Sequence, residues 1–521
     1  MGSTLNGIMN IAQQSINNNQ IALNVVSNNI SNMNTKNYTR QQVEFSTLNA
    51  YDCFNWCSSS GRLKIGHGAE ITGITNKRAQ WLDNYYRGQN SANGYYNQIG
   101  GMTSNIENLL NDELSSNGLE KKLSDFFAAS QALSGDPTNN AYKIAFINAA
   151  QDVADMLNNM SKTLNGYIEQ SVGTFGDPDS FNSSLIKTNV DSLDDKLAQL
   201  AELNGQISGN ANSGSAANDL KDKRDALLDE ISAIIPLTTT TNENGTVNVI
   251  IDGQTVVKGG DKKLTIQAVQ GDDADHPVKI QLVDKEGNIK KEDITDSLGD
   301  CQLTGILQAG SGESFGYKTV LDDLDKIASA FAEEMNRIQT QADANGTPMY
   351  IGPDGTLVES TTPLFVTKDG SGNFTAGNIT INQAVIDDPT LVATARMDPN
   401  AADFDDKAVG NTGNMDQFNN LAKGKLPALS LTDPPGEGMS LTDFLSSMIS
   451  KIGSEIDSLN SAANAQNSVM QQAESQRDAM YGVDLNEELA DLIRYQRSYE
   501  ASARVFNAAN ELMQLITQLG K

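Results

Sequence analysis

The sequence predicts a mainly α-helical, multidomain chain with a β insertion, an α+β architecture, and three observations carry that reading. Apolar residues recur at helical spacing over most of the 521 residues. Between residues 236 and 298 the period changes to two. Helical segments from both ends bracket that change, so the domains are expected to be discontinuous and nested.

The first 35 residues carry no charged side chain, and ten of them are Asn. Met9, Ala12, Ile16, Asn19, Leu23, Val26, Ile30 and Met33 alternate steps of three and four, the seam pattern of a coiled-coil helix. The opposite face holds Asn, Gln and Ser. A water-facing helix normally carries charge, so this face is expected to meet protein surface. At the other end, Leu485, Leu492, Tyr499, Phe506 and Met513 lie seven apart. Four residues after each come Leu489, Gln496, Ala503, Asn510 and Thr517, a weaker second half of the seam. Val505, Leu512, Ile516 and Leu519 form a further apolar stripe. One seam can mate with the N-terminal helix and leave the other for a neighbour.

Between the ends, residues 78–114, 119–133, 139–172, 185–207 and 217–235 have helical periodicity, with stops at Gly135-Asp136-Pro137, Gly176-Asp177-Pro178 and Pro236. Strands are predicted over 246–251, 255–257, 264–266 and 278–283, joined by turns such as Asn244-Gly245, Asp252-Gly253 and Glu286-Gly287-Asn288. Helix returns over 317–342 and 440–478, breaks near Tyr481-Gly482 and runs on to the last residues. The domain plan is therefore a terminal coiled-coil core of 1–50 plus 479–521, in which the N- and C-terminal helices pair. A long-helix bundle follows, of 51–235 plus 299–342 plus 439–478. Residues 236–298 make an outer β-rich domain. Residues 343–438 are a Gly, Asp and Pro-rich segment with short strands, attached to the helical domain.

Composition narrows the chemistry. Lys plus Arg number 37 and Asp plus Glu 66, a net charge of −29. The first 50 residues sum to +1 and 478–521 to −3, so −27 falls in the middle. A polyanion without a segregated basic patch repels nucleic acid. No apolar run approaches the roughly 18 residues that cross a bilayer, and no secretory signal is expected at the N-terminus. Three cysteines, at 53, 57 and 301, make no closed disulfide framework. Cys53, Cys57 and His67 lack the fourth ligand and tight pairing of a zinc site, and read as packing residues in an irregular segment. Cys301, before Leu303 and Ile306, reads as a core thiol. Gly312-Glu-Ser314-Phe-Gly316 has the spacing of a nucleophile elbow, but both histidines, His67 and His276, precede Ser314 in the chain, against the order of an α/β-hydrolase triad. A helix-start turn is the better account. No metal, no cofactor and no enzymatic activity are expected.

The segment Ala22-Leu-Asn-Val-Val-Ser-Asn-Asn-Ile-Ser-Asn-Met-Asn-Thr-Lys-Asn-Tyr-Thr-Arg-Gln41 closely resembles the N-terminal signature of bacterial flagellar axial proteins, the rod and hook family. The run Gly482-Val-Asp-Leu-Asn-Glu-Glu-Leu-Ala-Asp-Leu-Ile-Arg-Tyr-Gln-Arg-Ser-Tyr-Glu-Ala-Ser-Ala-Arg-Val-Phe506 is similar to the matching C-terminal signature. The Arg40-Gln41 extension, the long helical middle and the length resemble its hook-associated members most. Asn218-Asp-Leu, Arg224-Asp225 and the helix from Leu321 to Asn336 also resemble that group. The family's usual Pro-Gly is Lys36-Asn37 here, and Asn tolerates the left-handed backbone such a turn needs.

The resemblance implies a structural protein at the junction between hook and filament, self-assembling through its terminal helices and serving as a platform for filament assembly. The partners it implies are copies of itself, with hook protein and the next hook-associated protein or the filament as axial neighbours. It also implies an extracellular place in the flagellum, reached unfolded through a type III apparatus without a cleaved signal. An export chaperone would cover the C-terminal helix, with Tyr495, Tyr499, Phe506 and Leu512 as contacts. The residues expected to serve subunit assembly are Met9, Ile16, Leu23, Val26, Asn28, Asn29, Ile30, Asn32, Asn34, Tyr38, Arg40 and Gln41. From the other end they are Leu485, Leu489, Leu492, Gln496, Tyr499, Phe506 and Met513. The four asparagines can equally cap the helix end and build the following turn. Other readings are a hook, rod or flagellin-like subunit, or a secreted serine hydrolase using Ser314.

Overall fold

The computed structural model describes residues 2–48, 68–76, 78–113, 118–210, 215–273, 276–310, 312, 314–340, 350–351, 357–358, 362–395, 410, 412–426, 429 and 438–519. The expectations for Cys53, Cys57 and His67 lie outside these residues. A long first helix, α1 (Gly2–Ser31), leads into a hairpin of β1 (Gln41–Thr47) and β2 (Ala69–Asn76). Then come α2 (Gln80–Glu113), α3 (Leu119–Gly135), α4 (Asn140–Val172), α5 (Pro178–Ser183), α6 (Leu185–Gly209) and α7 (Ser215–Ile234).

The β insertion follows as two antiparallel sheets. The first is β3 (Thr238–Thr241), β4 (Val247–Ile251), β5 (Gln254–Lys258) and β6 (Asp261–Lys262) in sequential order; the second is β7 (Leu264–Gln270), β8 (Val278–Asp284) and β9 (Ile289–Lys291). The chain continues through α8 (Gln302–Gln308) and α9 (Tyr317–Thr340), the pair β10 (Tyr350–Ile351) and β11 (Leu357–Val358), and the pair β12 (Phe365–Thr367) and β13 (Ile379–Ile381). Two short helices, α10 (Gln383–Asp387) and α11 (Gly413–Asn420), precede α12 (Leu441–Tyr481) and α13 (Leu485–Leu519).

Local chemistry sets these boundaries. Asn139 caps α4 by accepting from the Ala141 amide, and Ser440 caps α12 by accepting from the Asp443 amide. Asp177 caps α5, whose first residue is Pro178, where a missing amide costs nothing. The Asn-Gly, Asp-Gly and Glu-Gly-Asn turns put Gly245, Gly253 and Gly287 at positive φ, as strand reversal requires.

Two buried clusters hold the body. In the first, α2, α3, α4, α9 and the start of α12 surround a run of phenylalanine rings. Phe418 meets Phe146, Phe146 meets Phe126, Phe126 meets Phe331 and Phe331 meets Phe365, each with centroids 5.1–5.4 Å apart. Phe365 and Phe418 bring β12 and α11 into the core of the helices. The second cluster joins α6 and α7 to the inward rows of the strands, among them Val249, Ile251, Ile266, Ile280 and Leu282. Cys301 is fully buried there beside Leu303 and Ile306. The amphipathic faces of α6 and α7 are thus covered by sheet as well as by helix.

Gly94 marks a close approach of α2 to α7 and α8. A Cβ at that position would sit 2.1 Å from the Ala233 carbonyl oxygen on α7 and 3.4 Å from the Gln302 amide nitrogen that opens α8. Gly94→Ala therefore forces backbone apart despite its better helix propensity, and we expect a loss of about 1–3 kcal/mol in chemical unfolding. An unchanged midpoint would mean that α2 and α7 are not in contact.

The hairpin β1–β2 is absent from the sequence-based expectation. Its pattern is weak because only Gln41 is buried on β1, while Val43 is half-buried and Phe45 exposed. Seven cross-strand pairs rather than burial hold it together. The Gly-x-Ser-x-Gly spacing resolves into a helix start. Ser314 is exposed, the Gly316 amide donates to Thr319 Oγ1 at 3.0 Å, and a Cβ on Gly316 would meet the Gln308 carbonyl.

Candidate functional site

The terminal helices meet as predicted in kind but on a shifted face. α1 and α13 run antiparallel: Asn29 contacts Glu488, and Ser15 bonds Ser502 across the middle at 2.8 Å. On α1 the seam is inward as far as Ile30, while Met33, past the end of the helix, is exposed. Ala12, Asn19 and Val26 are buried, and Met9, Ile16, Leu23 and Ile30 are half-buried; Ala22 and Val25 join them. On α13 the expected first half is partly inward, with Leu492, Phe506 and Met513 half-buried. Leu485 and Tyr499 of that row are exposed, and of its expected partners Leu489, Gln496, Asn510 and Thr517 are exposed while Ala503 is half-buried. The second half of the seam instead lies three residues after each heptad position, at Glu488, Tyr495, Ser502 and Ala509.

Close approach explains the shift. Ala12, Ala22, Ser15, Ser502 and Ala509 are small enough for two backbones to draw together, and bulky residues at those positions would hold them apart. Leu489, Ile493, Val505 and Leu512 consequently point away from α1, the last three with half or more of their surface exposed, or nearly so. Tyr499 is also exposed, and Tyr495 packs obliquely on Phe45 of β1 with ring centroids 6.4 Å apart.

At the body end of the pair sits a polar knot. Asn29, almost fully buried, donates to the Gln41 carbonyl at 2.9 Å and to Glu488 Oε2 at 3.1 Å. Its Oδ1 accepts from the Gln41 amide at 3.1 Å and from the Tyr38 hydroxyl at 2.8 Å. Arg40 reaches Glu488 at 2.6 Å, Glu487 at 2.7 Å and Asp491 at 3.4 Å. Burial and the nearby Asp222, Asp219 and Glu488 charges hold the Tyr38 phenol protonated, well above its ordinary range. Asn28 donates to the Tyr38 hydroxyl, and Asn32 donates back to the Asn28 carbonyl at the end of α1. Asn34 is exposed. The turn after α1 works without Pro-Gly because Asn37 takes φ 64°, the left-handed region.

A second arrangement, not foreseen from the sequence, ties this pair to the body. Asn218, Asp219, Asp222, Asp225 and Asp229 run along one side of α7. Asn218 donates to the Ile74 carbonyl, Gln41 Nε2 reaches Asp219, and the Thr39 amide and Asn76 Nδ2 both donate to Asp222. Behind them lie four arginines. Arg78 contacts Asp225 at 2.6 Å and Asp83 at 3.3 Å; Arg224 contacts Asp225 at 3.0 Å; Arg87 and Arg477 contact Asp229 at 2.9 and 2.7 Å. Tyr481, at the α12–α13 break, clasps Ala79 through its hydroxyl and accepts the Arg40 amide on its carbonyl. The signal was present as acidic residues at steps of three and four on one helix, but their partners are remote in the chain.

Electrostatics follow from burial. Around Asp225 burial raises the carboxyl pKa, yet Arg78, Arg224 and Arg87 outweigh it and the net shift is downward. Asp222 has less compensation. Burial pushes it up to about 6, with the Thr39 bonds and Arg78 opposing and Asp225 adding to the rise. Since this folded value lies above the ordinary 3.8, the folded state binds the proton more tightly, and the contribution of Asp222 to stability falls as pH rises from about 4 to about 6. Asp222→Asn should flatten that part of the stability–pH profile, and a profile unchanged between pH 4 and 6 would contradict the assignment.

Among the described residues no group of three His, Cys, Asp or Glu is placed to hold a metal ion, and no helix is long and apolar enough to cross a membrane. What the site offers is surface: a thin helix pair, anchored at one end by the knot, with large apolar residues turned outward.

Comparison with known proteins adds three family matches. Residues 103–350 match "Flagellar hook-associated protein FlgK helical domain", residues 474–519 match "Flagellar basal body rod FlgEFG protein C-terminal", and residues 9–39 match "Flagella basal body rod protein". Flagellar hook-associated protein 1 of Bacillus subtilis is 25% identical over 538 residues, covering 98% of both chains. The proteins of that name from Salmonella typhimurium and Escherichia coli are each 25% identical, covering 99% of this chain and 100% of their own. The solved structure of the flagellar hook junction protein FlgK from Burkholderia pseudomallei has a TM-score of 0.52 at 13% identity, over 77% of this chain and 100% of that one, a likeness of fold.

Proposed function

The chain belongs to the flagellar hook-associated protein 1 family, and from that premise we propose how its surfaces serve the hook–filament junction. It is a structural protein of the bacterial flagellum that assembles into the axial structure. The reading is carried by the unfilled apolar surface of α13. Leu489, Ile493, Val505 and Leu512 lie outside the α1–α13 seam, on a helix whose ion pairs with Arg40, through Glu487, Glu488 and Asp491, gather in its first turns. Burying a Leu or Ile is worth roughly 1.5–3 kcal/mol each, and copies side by side in a ring supply that burial. Neighbouring copies meet this stripe, and Leu485 and Tyr499 flank it.

The hook protein and the next hook-associated protein or filament stand above and below such a ring. Before assembly the same stripe needs cover, and an export chaperone on Tyr495, Tyr499, Phe506 and Leu512 supplies it. Of these, Leu512 and Tyr499 are open to a partner while α1 is paired, whereas Tyr495 and Phe506 are half-buried, Tyr495 against Phe45 of β1. Export without a cleaved signal fits a chain whose described cysteine, Cys301, is a free buried thiol. No catalytic role is assigned to Ser314.

Electron microscopy of cells lacking the gene, with flagellin measured in the medium, tests the reading. Bare hooks with shed flagellin are expected. Normal filaments would exclude an essential junction role, and absent hooks would move the chain to the rod or hook.

A further inference from the structure

One surface of the body remains unexplained by the terminal helices. α2 and the second half of α12 pack antiparallel, with Gln466 donating to Gln89 at the middle and Arg477 lying over the Tyr86 ring at 4.0 Å. Residues 88–106 of α2 and 458–473 of α12 contain no charged side chain, in a chain of net charge −29. Other exposed helices of the body carry spaced ion pairs on their wet faces, such as Lys121–Asp125 on α3, Lys187–Asp191 on α6 and Lys318–Asp322 on α9. Those pairs support a solvated helix. The α2–α12 layer forgoes them.

The outer face of α2 is also apolar where it leaves the knot. Trp81 is 66% exposed and Tyr85 40%, one turn apart, while the charged residues between Trp81 and Gly88, Asp83 and Arg87, are buried in the arginine–aspartate cluster. Gly88 continues the same face. A Cβ there would meet nothing within 4 Å, so the monomer gives no steric reason for glycine. Glycine in a helix interior costs about 0.5–1 kcal/mol relative to alanine.

We propose that this uncharged α2–α12 belt, with Trp81 and Tyr85 at its edge, is a lateral contact face whose occupant is the body of a second copy of this chain. Charge selects that occupant. Two chains of −29 repel wherever acidic surfaces face each other, and a belt free of charge is where copies approach without that repulsion. A basic partner would be drawn instead to the acidic surfaces. The proposal rests on the junction reading above, and adds to the terminal helices a second, independent seam.

The test adds purified chains from outside to cells that lack the gene, and counts filaments. Three exposed belt positions are changed together, Gly88→Glu, Ser461→Glu and Ala465→Glu, beside a neutral set with Gln at the same positions and a Trp81→Ala chain. The wild-type chain and the Gln set should restore filaments. The Glu set should give at least tenfold fewer, and Trp81→Ala should also give fewer, with thermal melts of all the monomers coinciding. Filaments restored by the Glu set as by wild type would overturn the belt. If the Glu set melts early, Trp81→Ala decides, and wild-type filament numbers from it would overturn the belt as well. Failure of the wild-type chain itself to restore filaments would count against the junction reading, a separate outcome.

Discussion

Asp225→Ala is expected to lower the unfolding free energy of the body by about 3–5 kcal/mol, the cost of leaving buried charge without its partner. Asp225 is nearly inaccessible, and its two oxygens face Arg78, Arg224 and Arg87 at 2.6, 3.0 and 3.5 Å. Removing it leaves three guanidinium groups sharing Asp83, Asp222 and Asp229, with Arg87 Nη2 already lacking a well-formed hydrogen bond. Asp225→Asn keeps the shape and one acceptor, and should cost less. Urea unfolding of both variants measures the difference. Equal and small losses would mean that water reaches the cluster and the charges are not desolvated. Because Arg78 and Asp222 also hold the Asn76 end of the hairpin, the Ala variant should loosen the seat of the terminal pair as well.

Asn29→Ala is the second large effect, and it is local. One side chain satisfies both backbone groups of Gln41, the Tyr38 hydroxyl and one oxygen of Glu488. Alanine leaves several of these groups buried and unpaired, at about 1–3 kcal/mol for each one that water cannot reach, and roughly 2–4 kcal/mol in total. The body shares no core with the knot, so its unfolding midpoint should barely move. Amide exchange should report the change instead. In the wild-type chain protection is expected to be highest near Glu488 and to fall along α13 towards Leu519, since the bonds and ion pairs of the knot gather at Glu487, Glu488 and Asp491. In the Asn29→Ala chain the protected end should be lost. Uniform protection along α13 in both chains would refute an anchor at Asn29.

The helices show how far pattern carries. The stops at Gly135-Asp136-Pro137 and Gly176-Asp177-Pro178 fall where α3 ends and α5 begins, and predicted 139–172 appears as Asn140–Val172. Capping and turn residues act within four positions, so a reader of the sequence has all the parts. The β1–β2 hairpin was invisible because it is held by backbone pairing on a mostly exposed ribbon, which leaves little hydrophobic alternation to read. The knot was half visible. Asn28, Asn29, Asn32, Tyr38, Arg40 and Gln41 stood out, but as contacts between subunits or as caps. In the folded chain Asn29 and Arg40 turn inward to Glu488, 459 and 448 residues away.

The heptads of both ends, read locally, were enough to show that two terminal helices with apolar seams exist and that more apolar surface is present than one pairing can cover. Which face of α13 meets α1 was decided by the tertiary structure. Hydrophobic periodicity ranks Leu485 and Leu489 as inner residues, whereas close packing of two thin helices favours Ser502 and Ala509 and needs Glu488 where Asn29 and Arg40 can reach it. The acidic row of α7 was likewise plain in the sequence as charge. Only the fold, by bringing Arg78, Arg87 and Arg477 to it and taking water away, makes that charge a joint, because the strength of an ion pair depends on distance and desolvation, and neither is a property of neighbouring residues.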